Sequence, residues 1–333
     1  MRIAIAHTQL TSFGGGERAT LELARHLSAR HEVTLWTSHY APEKTFAGLA
    51  RFPLRVTLPA AWLAQPIDAD VILAQNFGAR LLALRHRGVI AYLHTMRSRY
   101  LSGARRPDLA LRRTLDRLAM RRAAFALTNS AFTARRAAAF YGRAPEVVPL
   151  GADDELFDVA PLVGAYALYV GRLAPEKGVA RLLEWSAGMP LALEVVGAGS
   201  AEETARLAAL AGPQARFRGP LTGAALAQAY AGARFFAFTP YAEEFGLAAL
   251  DAMAAAKPVI AVRDGALPEL VEDGVTGFLV GDAAEYQRAA QRLLASDALC
   301  LRVGLAARER ARAYTWERYA QRIEALCEQV VAR

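Results

Sequence analysis

Residues 166–178 read YALYVGRLAPEKG, and this stretch decides the architecture. Tyr166–Val170 has the length and apolar, β-rich composition of a buried strand. Gly171 ends it, a polar loop carrying Arg172 and Lys177 follows, and Val179–Trp185 takes up a helical pattern after Gly178. A strand that passes through a loop into a helix is the repeating unit of a parallel sheet covered on both faces.

The alternation extends both ways from this unit. Upstream, Arg2–Ala6, Glu32–Thr37, Asp70–Ala74, Val89–His94 and Phe125–Asn129 read as strands, with a last short one at Val147–Val148. Helices are expected over Glu17–Ser28, Leu109–Arg122 and Ala131–Ala139. Downstream, strands are expected at Leu193–Val196, Ala215–Phe217, Phe235–Phe238 and Val259–Val262, and helices at Ala201–Ala209, Ala224–Tyr230 and Leu247–Ala254. The turn-rich stretch Gly151–Pro161 separates the two runs. The fold class is therefore α/β: two doubly wound, Rossmann-like parallel-sheet domains, residues 1–153 and 154–315, facing across a cleft. A terminal helix, Trp316–Val331 within residues 316–333, lies beyond the second domain, and its return to the first stays open. Ligands of such sheets bind beyond the carboxyl ends of the strands.

A chain of 333 residues fits two domains at roughly 150 residues each. With 54% hydrophobic and 22% charged residues it holds enough apolar surface for a packed core, which excludes a disordered or fibrous chain. No apolar run approaches the ~18 residues of a membrane-spanning helix. The opening MRIAIAHTQ reads as a strand and not as a signal peptide. Two cysteines, Cys300 and Cys327, exclude a disulfide framework and a cysteine metal site and point to a reducing cytoplasm. Charge is unevenly divided. Residues 1–150 hold 22 Lys and Arg against 9 Asp and Glu, net +13, whereas residues 151–333 hold 18 against 23, net −5. The first half thus suits something anionic: nucleic acid, a membrane surface or a phosphorylated substrate.

Three loops carry residues suited to chemistry. Phe13-Gly14-Gly15-Gly16-Glu17 runs into a helix, where backbone N–H groups favour anions and glycine lets phosphate approach. Gly14, Gly16 and Ala19 also fit a dinucleotide pattern, but the strand ends near His7, too far upstream for its tight turn. The second strand ends Trp36-Thr37-Ser38, with no acid for a ribose. In the loop 171–178, Arg172 offers a forked contact and Lys177 a point charge, which suits a diphosphate or simply solvent. In Glu243–Met253 (EEFGLAALDAM), N–H groups around Gly246 and Leu247 at a helix start suit a diphosphate as well. Asp251 follows Glu243 by eight residues and lies about two turns or less into that helix, so both acids can line one site.

In this order, Gly171–Gly178, Glu243–Met253, Lys257–Ala261 (KPVIA) and Glu272–Phe278 (EDGVTGF) resemble the nucleotide-sugar half of the family-4 retaining glycosyltransferases. The resemblance continues through Thr128-Asn129-Ser130, Tyr141-Gly142, Val147-Val148-Pro149 and the glycine loop, and so covers most of the chain. It implies the GT-B fold, a nucleoside-diphosphate sugar as donor held mainly by the second domain, a glycan, lipid-linked or small-molecule acceptor, and no required metal or other cofactor. It further implies that Arg172 and Lys177 clamp the donor diphosphate, with Gly246 and Leu247 beside them and Gly15 and Gly16 approaching from the first domain. Glu243 resembles the first acid of the family's pair, near the donor sugar, and His94 the family's histidine that contacts that sugar. These two are the catalytic candidates. Asp251 stands where the family has glutamate reaching the ribose hydroxyls, one methylene short. Leu150, in place of asparagine, and Ala266, in place of a second glycine, depart from the pattern as well.

Asp68-Ala69-Asp70 has the D-x-D form of metal-dependent transferases, but it directly precedes an apolar strand and reads as a loop-to-strand start. The six histidines lie scattered in the first half, so no metal site is expected. Arg97, Arg99, Arg105, Arg106, Arg112, Arg113, Arg117, Arg121 and Arg122 crowd one region of the first domain. They suit an anionic lipid surface, a lipid-pyrophosphate acceptor, or merely solvent. Without interleaved aromatic residues, nucleic acid is not expected. The expected location is cytoplasmic, peripheral to the inner membrane face where that patch docks. Three other readings stay open: a non-catalytic nucleotide-sugar-binding relative, a GT-B isomerase of sugar nucleotides, and a Rossmann oxidoreductase resting on the glycine loop.

Overall fold

The computed structural model describes residues 1–64, 66–96 and 107–333. The chain divides into two compact units, Met1–Leu150 with Trp316–Arg333, and Gly151–Thr315. Each is built on a parallel sheet.

The seven strands of the first unit's main sheet run in the spatial order Leu54–Val56, Glu32–Thr37, Arg2–Ala6, Val71–Ala74, Val89–Leu93, Phe125–Thr128, Glu146–Val147. The chain starts in the middle, builds outward on one side, then returns to pair Val71–Ala74 against Arg2–Ala6 with Ile3 opposite Val71. The order reverses between those two strands. His7 and Gln75, just past their carboxyl ends, therefore stand where doubly wound sheets take ligands. The second unit runs Ala215–Gly219, Ala192–Val196, Tyr166–Val170, Ala233–Phe238, Val259–Val262, Gly277–Val280. It reverses between Tyr166–Val170 and Ala233–Phe238. The loops that open at Gly171 and Thr239 are neighbours for that reason.

Strands covered on both faces must be apolar throughout, and all four residues of Val71–Ala74 and of Val259–Val262 are buried. Buried polar side chains tie elements together at two places. Lys257 is buried, and its Nζ donates to Leu162 O and Ala231 O, each at 2.7 Å. Asp116, on the arginine-rich helix Pro107–Arg122, accepts from buried Arg80 at 3.2 Å and from the Tyr141 hydroxyl at 2.6 Å. That cluster pins the helix to its neighbours Phe77–Arg80 and Ala131–Tyr141. Several elements go beyond the sequence reading. Leu54–Val56 is a short edge strand and Gly277–Val280 the last strand of its sheet. Ala283–Ala295 and Asp297–Ala311 are helices, capped by the side chains of Asp282 and Ser296, which accept from Glu285 N and Leu299 N.

The terminal helix Trp316–Val331 belongs to the first unit, where it packs along the helix Gly15–Leu27. It buries Trp316, Tyr319, Ile323, Leu326 and Cys327. Its polar anchor is Glu324, which accepts from Arg30 Nε at 2.9 Å and Nη2, and from His31 Nε2 at 2.7 Å.

The Arg30 hydrogen bonds, with His31 adding to them, hold the Glu324 carboxyl at about 2, against an ordinary 4.5. A carboxyl depressed in the folded state contributes stability above its unfolded value and loses it as pH falls through the folded one. Glu324→Gln is therefore expected to lower Tm at pH 7, and the gap from wild type should close progressively below about pH 4.5. A gap that stays constant through acid titration, followed by circular dichroism, would show that this carboxylate is no anchor.

Candidate active site

In the second unit the two loops at the reversal point are locked together by backbone contacts. Gly178 sits at φ +67°, and a Cβ there would fall 1.7 Å from Thr239 O, so the loops approach as only glycine permits. Thr239 Oγ1 donates back to Gly178 O at 2.9 Å, and Tyr241 N to Glu176 O at 2.9 Å. Arg181 Nη2 donates to Thr239 O and Pro240 O at 2.6 and 2.8 Å while its guanidinium lies 4.0 Å from the centre of the Tyr241 ring.

The lock brings two predicted site residues into direct contact. Lys177 Nζ donates to Glu243 Oε2 at 2.7 Å, with the side chains 21% and 13% exposed. The Glu243 backbone is clamped from its other side. Gly265, at φ +66°, leaves no room for a Cβ, which would lie 2.3 Å from Glu243 O. Ala266 N then donates to that oxygen at 2.7 Å, and Asp264 Oδ2 receives Ala242 N at 2.8 Å. Ala242 itself is held at φ +47°, an unfavourable angle for a residue with a Cβ.

Gly246, at φ +99°, starts the helix Leu247–Ala254 with no side-chain cap. The first N–H groups of a helix have no intrahelical acceptors, so this end presents positive potential next to Glu243 in sequence. Arg172 lies on the exposed side of its loop, paired with Glu176 at 3.1 Å, and its carbonyl accepts from the Tyr169 hydroxyl at 3.1 Å. Burial, with the Glu243 charge adding to it, drives the Tyr169 hydroxyl well above its ordinary range, so it keeps the proton that it donates to Arg172 O.

Glu243 meets Lys177, whereas Asp251 is buried and accepts the backbone N–H of Asp153 at 3.1 Å. The helix begins at Leu247, where it was expected, after the left-handed turn at Gly246, and Asp251 lies in its second turn.

In the first unit the glycine loop, His7 and His94 come together. A Cβ on Gly16 would lie 3.2 Å from His7 Nε2 and 3.8 Å from His94 Cδ2, so both rings lie directly against this glycine. Gly15 is the first residue of the helix. His94 Nε2 is 2.8 Å from Gln75 Oε1, its carbonyl accepts from Asn129 Nδ2 at 3.1 Å, and its ring lies tilted by 40° against Tyr92 with centroids 4.5 Å apart. Burial, then the charges of His7 and Arg80, lowers His94 to about 3, and burial lowers His7 to about 4. Both imidazoles are neutral at physiological pH, able to hydrogen-bond but not to act as acids. The sequence reading left His7 out of the site. Its signal was its place directly after the first strand and ahead of the glycine loop.

Asp68 and Asp70 of the D-x-D stretch are engaged by Arg2: Nη1 reaches Asp68 at 2.5 Å, and the backbone N–H reaches Asp70 at 2.8 Å. Among the described residues no three His, Cys, Asp or Glu stand together as a metal set. Of the basic cluster, Arg112, Arg113, Arg117, Arg121 and Arg122 lie on the helix Pro107–Arg122, whereas Arg97, Arg99, Arg105 and Arg106 lie outside the described residues. Arg117 and Arg122 donate to Phe140 O and Leu84 O at 3.1 and 3.0 Å. Leu111 and Leu118, 61% and 40% exposed, lie two turns apart on the same helix. Among the described residues no helix is long and apolar enough to cross a membrane.

Two family models match this chain. One, described as Glycosyltransferase Family 4, covers residues 13–156, and the other, Glycosyl transferases group 1, covers residues 164–296. A D-inositol 3-phosphate glycosyltransferase of Corynebacterium efficiens is 35% identical over 182 residues, 50% of this chain and 43% of the relative. One from Geodermatophilus obscurus is 34% identical over 225 residues, 58% of this chain and 49% of the relative. The chain thus matches less than half the length of these curated relatives. The solved structure of Anabaena HepE in complex with UDP-glucose superposes with a TM-score of 0.83 over 98% of each chain at 20% identity. Sucrose-phosphate synthase from Thermosynechococcus elongatus superposes with a TM-score of 0.80 over 100% of this chain and 99% of that one at 21% identity. These likenesses show the GT-B fold.

The backbone lock at Gly178 carries its own test. Gly178→Ala forces a Cβ into the Thr239 carbonyl at a positive φ and is expected to destabilise the protein by about 3 kcal/mol or more in urea denaturation. A loss below about 1 kcal/mol would mean that the loops separate without cost.

Proposed function

Because the chain belongs to the family-4 glycosyltransferases, we propose that it moves a hexosyl group from a nucleoside-diphosphate sugar to a glycan, lipid-linked or small-molecule acceptor, with retention at the anomeric carbon. The observation that carries this reading is the Lys177–Glu243 pair at the reversal point of the second sheet, in the loop that leads to an uncapped helix start. HepE's complex with UDP-glucose makes UDP the first diphosphate to test. The name of the curated relatives and the +13 charge of residues 1–150 favour an acceptor that carries phosphate.

In the proposed reaction the bond between the anomeric carbon and the diphosphate oxygen breaks, and negative charge grows on the leaving group. Lys177, Arg172 and the N–H groups at Gly246 and Leu247 stabilise that charge. An ammonium has three N–H bonds, so Lys177 keeps one on Glu243 and turns another to a phosphate oxygen. With cations and a helix end assigned to the leaving group, no divalent metal is needed. The acceptor oxygen bonds to the anomeric carbon from the face that the diphosphate leaves, and its proton passes to the departing phosphate oxygen. Glu243 stabilises positive charge on the sugar.

Thermal shifts with UDP, GDP, ADP and NAD in EDTA test the ligand class. A ligand at 100 times its Kd is expected to stabilise by roughly 2.7 kcal/mol. Lys177→Ala and Glu243→Ala should each lose about 100-fold or more of transfer while keeping near-native Tm. A shift with NAD alone would favour the oxidoreductase reading, and loss of activity in EDTA restored by manganese would overturn the metal-free one.

We further propose that the helix Pro107–Arg122 rests on anionic lipid at the cytoplasmic face of the membrane, with Leu111 and Leu118 entering the headgroup region between arginines. Each basic residue near such a surface contributes ~1 kcal/mol. The protein is expected to float with phosphatidylglycerol vesicles at low salt, and less so as Leu111→Ser/Leu118→Ser. Equal flotation with phosphatidylcholine, or none, would remove the membrane from the proposal.

A further inference from the structure

Asp251 lies in the second turn of the helix Leu247–Ala254 and is 4% exposed. A carboxylate so deeply placed takes its hydrogen-bond donors from the protein. One of them is the backbone N–H of Asp153, 3.1 Å from Oδ1. Asp153 lies where the chain enters the second unit, and that entry is tied to the exit. Ala152 N donates to Tyr314 O at 3.0 Å, and Ala152 forms a parallel bridge with Thr315. Asp153 also uses its own Oδ1 to receive Glu155 N at 3.3 Å, which starts the turn Asp154–Asp158. At the head of the same helix, Phe245 packs against the Tyr314 ring with centroids 6.3 Å apart. One short helix therefore grips both ends of the unit, through Asp251 at its middle and Phe245 at its start.

We propose that Asp251 is a positioning residue and not a ribose ligand. Its carboxylate ties the helix to the Ala152–Asp153 turn and so fixes the Gly246–Leu247 end. The effect on nucleotide binding rests on the function proposed above, which assigns that end to the donor diphosphate. The tie to Asp153 does not. A side chain one methylene shorter than glutamate, folded onto a backbone N–H inside its own unit, acts on the ligand only through the helix that carries it.

The test compares wild type, Asp251→Asn and Asp251→Ala. Calorimetry uses whichever of UDP, GDP or ADP binds wild type, together with its 2′-deoxy counterpart. Asp251→Asn keeps an acceptor oxygen and should bind both nucleotides within about twofold of wild type. Asp251→Ala should weaken both by about tenfold and leave their ratio unchanged. A selective loss of the ribonucleotide in Asp251→Asn, bringing its affinity down to that of the deoxy compound, would make Asp251 a ribose ligand and overturn the proposal.

Hydrogen exchange at the Asp153 amide provides the arm that needs no nucleotide. It should quicken by about tenfold or more in Asp251→Ala and stay slow in Asp251→Asn. Unchanged exchange in Asp251→Ala would also overturn the proposal, whereas failure of that variant to fold beside a folded Asp251→Asn supports it. If no nucleoside diphosphate binds wild type, the transferase reading fails while this arm still decides the role of Asp251.

Discussion

The candidate site depends on one close approach, the backbone of Gly178 against the carbonyl of Thr239. Two strands adjacent in the second sheet end side by side, and their following loops must either diverge or fuse. Here they fuse, because position 178 has no side chain and Thr239, Tyr241 and Arg181 complete the hydrogen bonds across the seam. Lys177 and Glu243, 66 residues apart, meet as a consequence. A half-buried ion pair recovers its desolvation cost only where geometry is held for it. The clamp of Gly265 and Ala266 on the Glu243 backbone supplies that geometry from the opposite side. The cation, the carboxylate and the helix end are thus set in place before any ligand arrives, which is the form that electrostatic catalysis requires.

The first unit is built on a different electrostatic principle. Around Gly16 lie two imidazoles kept neutral by burial, framed by amides from Gln75, Asn76 and Asn129. The positive charge of this unit lies elsewhere, on helices such as Pro107–Arg122, where a buried Arg80–Asp116–Tyr141 cluster fixes the helix and leaves Arg112, Arg121 and Arg122 at the surface. Fixed dipoles around the loop and long-range charge on the helix can therefore change independently of one another.

Much of this was legible in the amino-acid order. Buried parallel strands are continuous apolar runs, and the strands on either side of each reversal point stood out for that reason. Leu54–Val56 did not, since three residues with two exposed side chains carry no period. The helices Ala283–Ala295 and Asp297–Ala311 had their signals in Asp282 and Ser296, yet alanine and arginine spread through both blur the apolar face. The loops at 171 and 243 could be picked out because each follows a strand. Their contact could not, because Tyr166–Val170 pairs with Ala233–Phe238 only after two intervening strands have turned to the other side. The tie between Asp251 and the Asp153 backbone was equally out of reach, because 98 residues separate the two.

The terminal helix has a consequence for biosynthesis. Trp316–Val331 completes the hydrophobic packing of the first unit against Gly15–Leu27, although the whole second unit is translated in between. At 5–20 residues per second, roughly 15–60 s pass on the ribosome between the two halves of that contact. During that interval the nascent first unit keeps an uncovered apolar seam, beside the unsatisfied Arg30 and His31, while the second unit already has all its strands. The later-made unit is thus the first able to finish folding, and the early one waits for a closing segment, a period in which a holdase chaperone has its clearest binding surface.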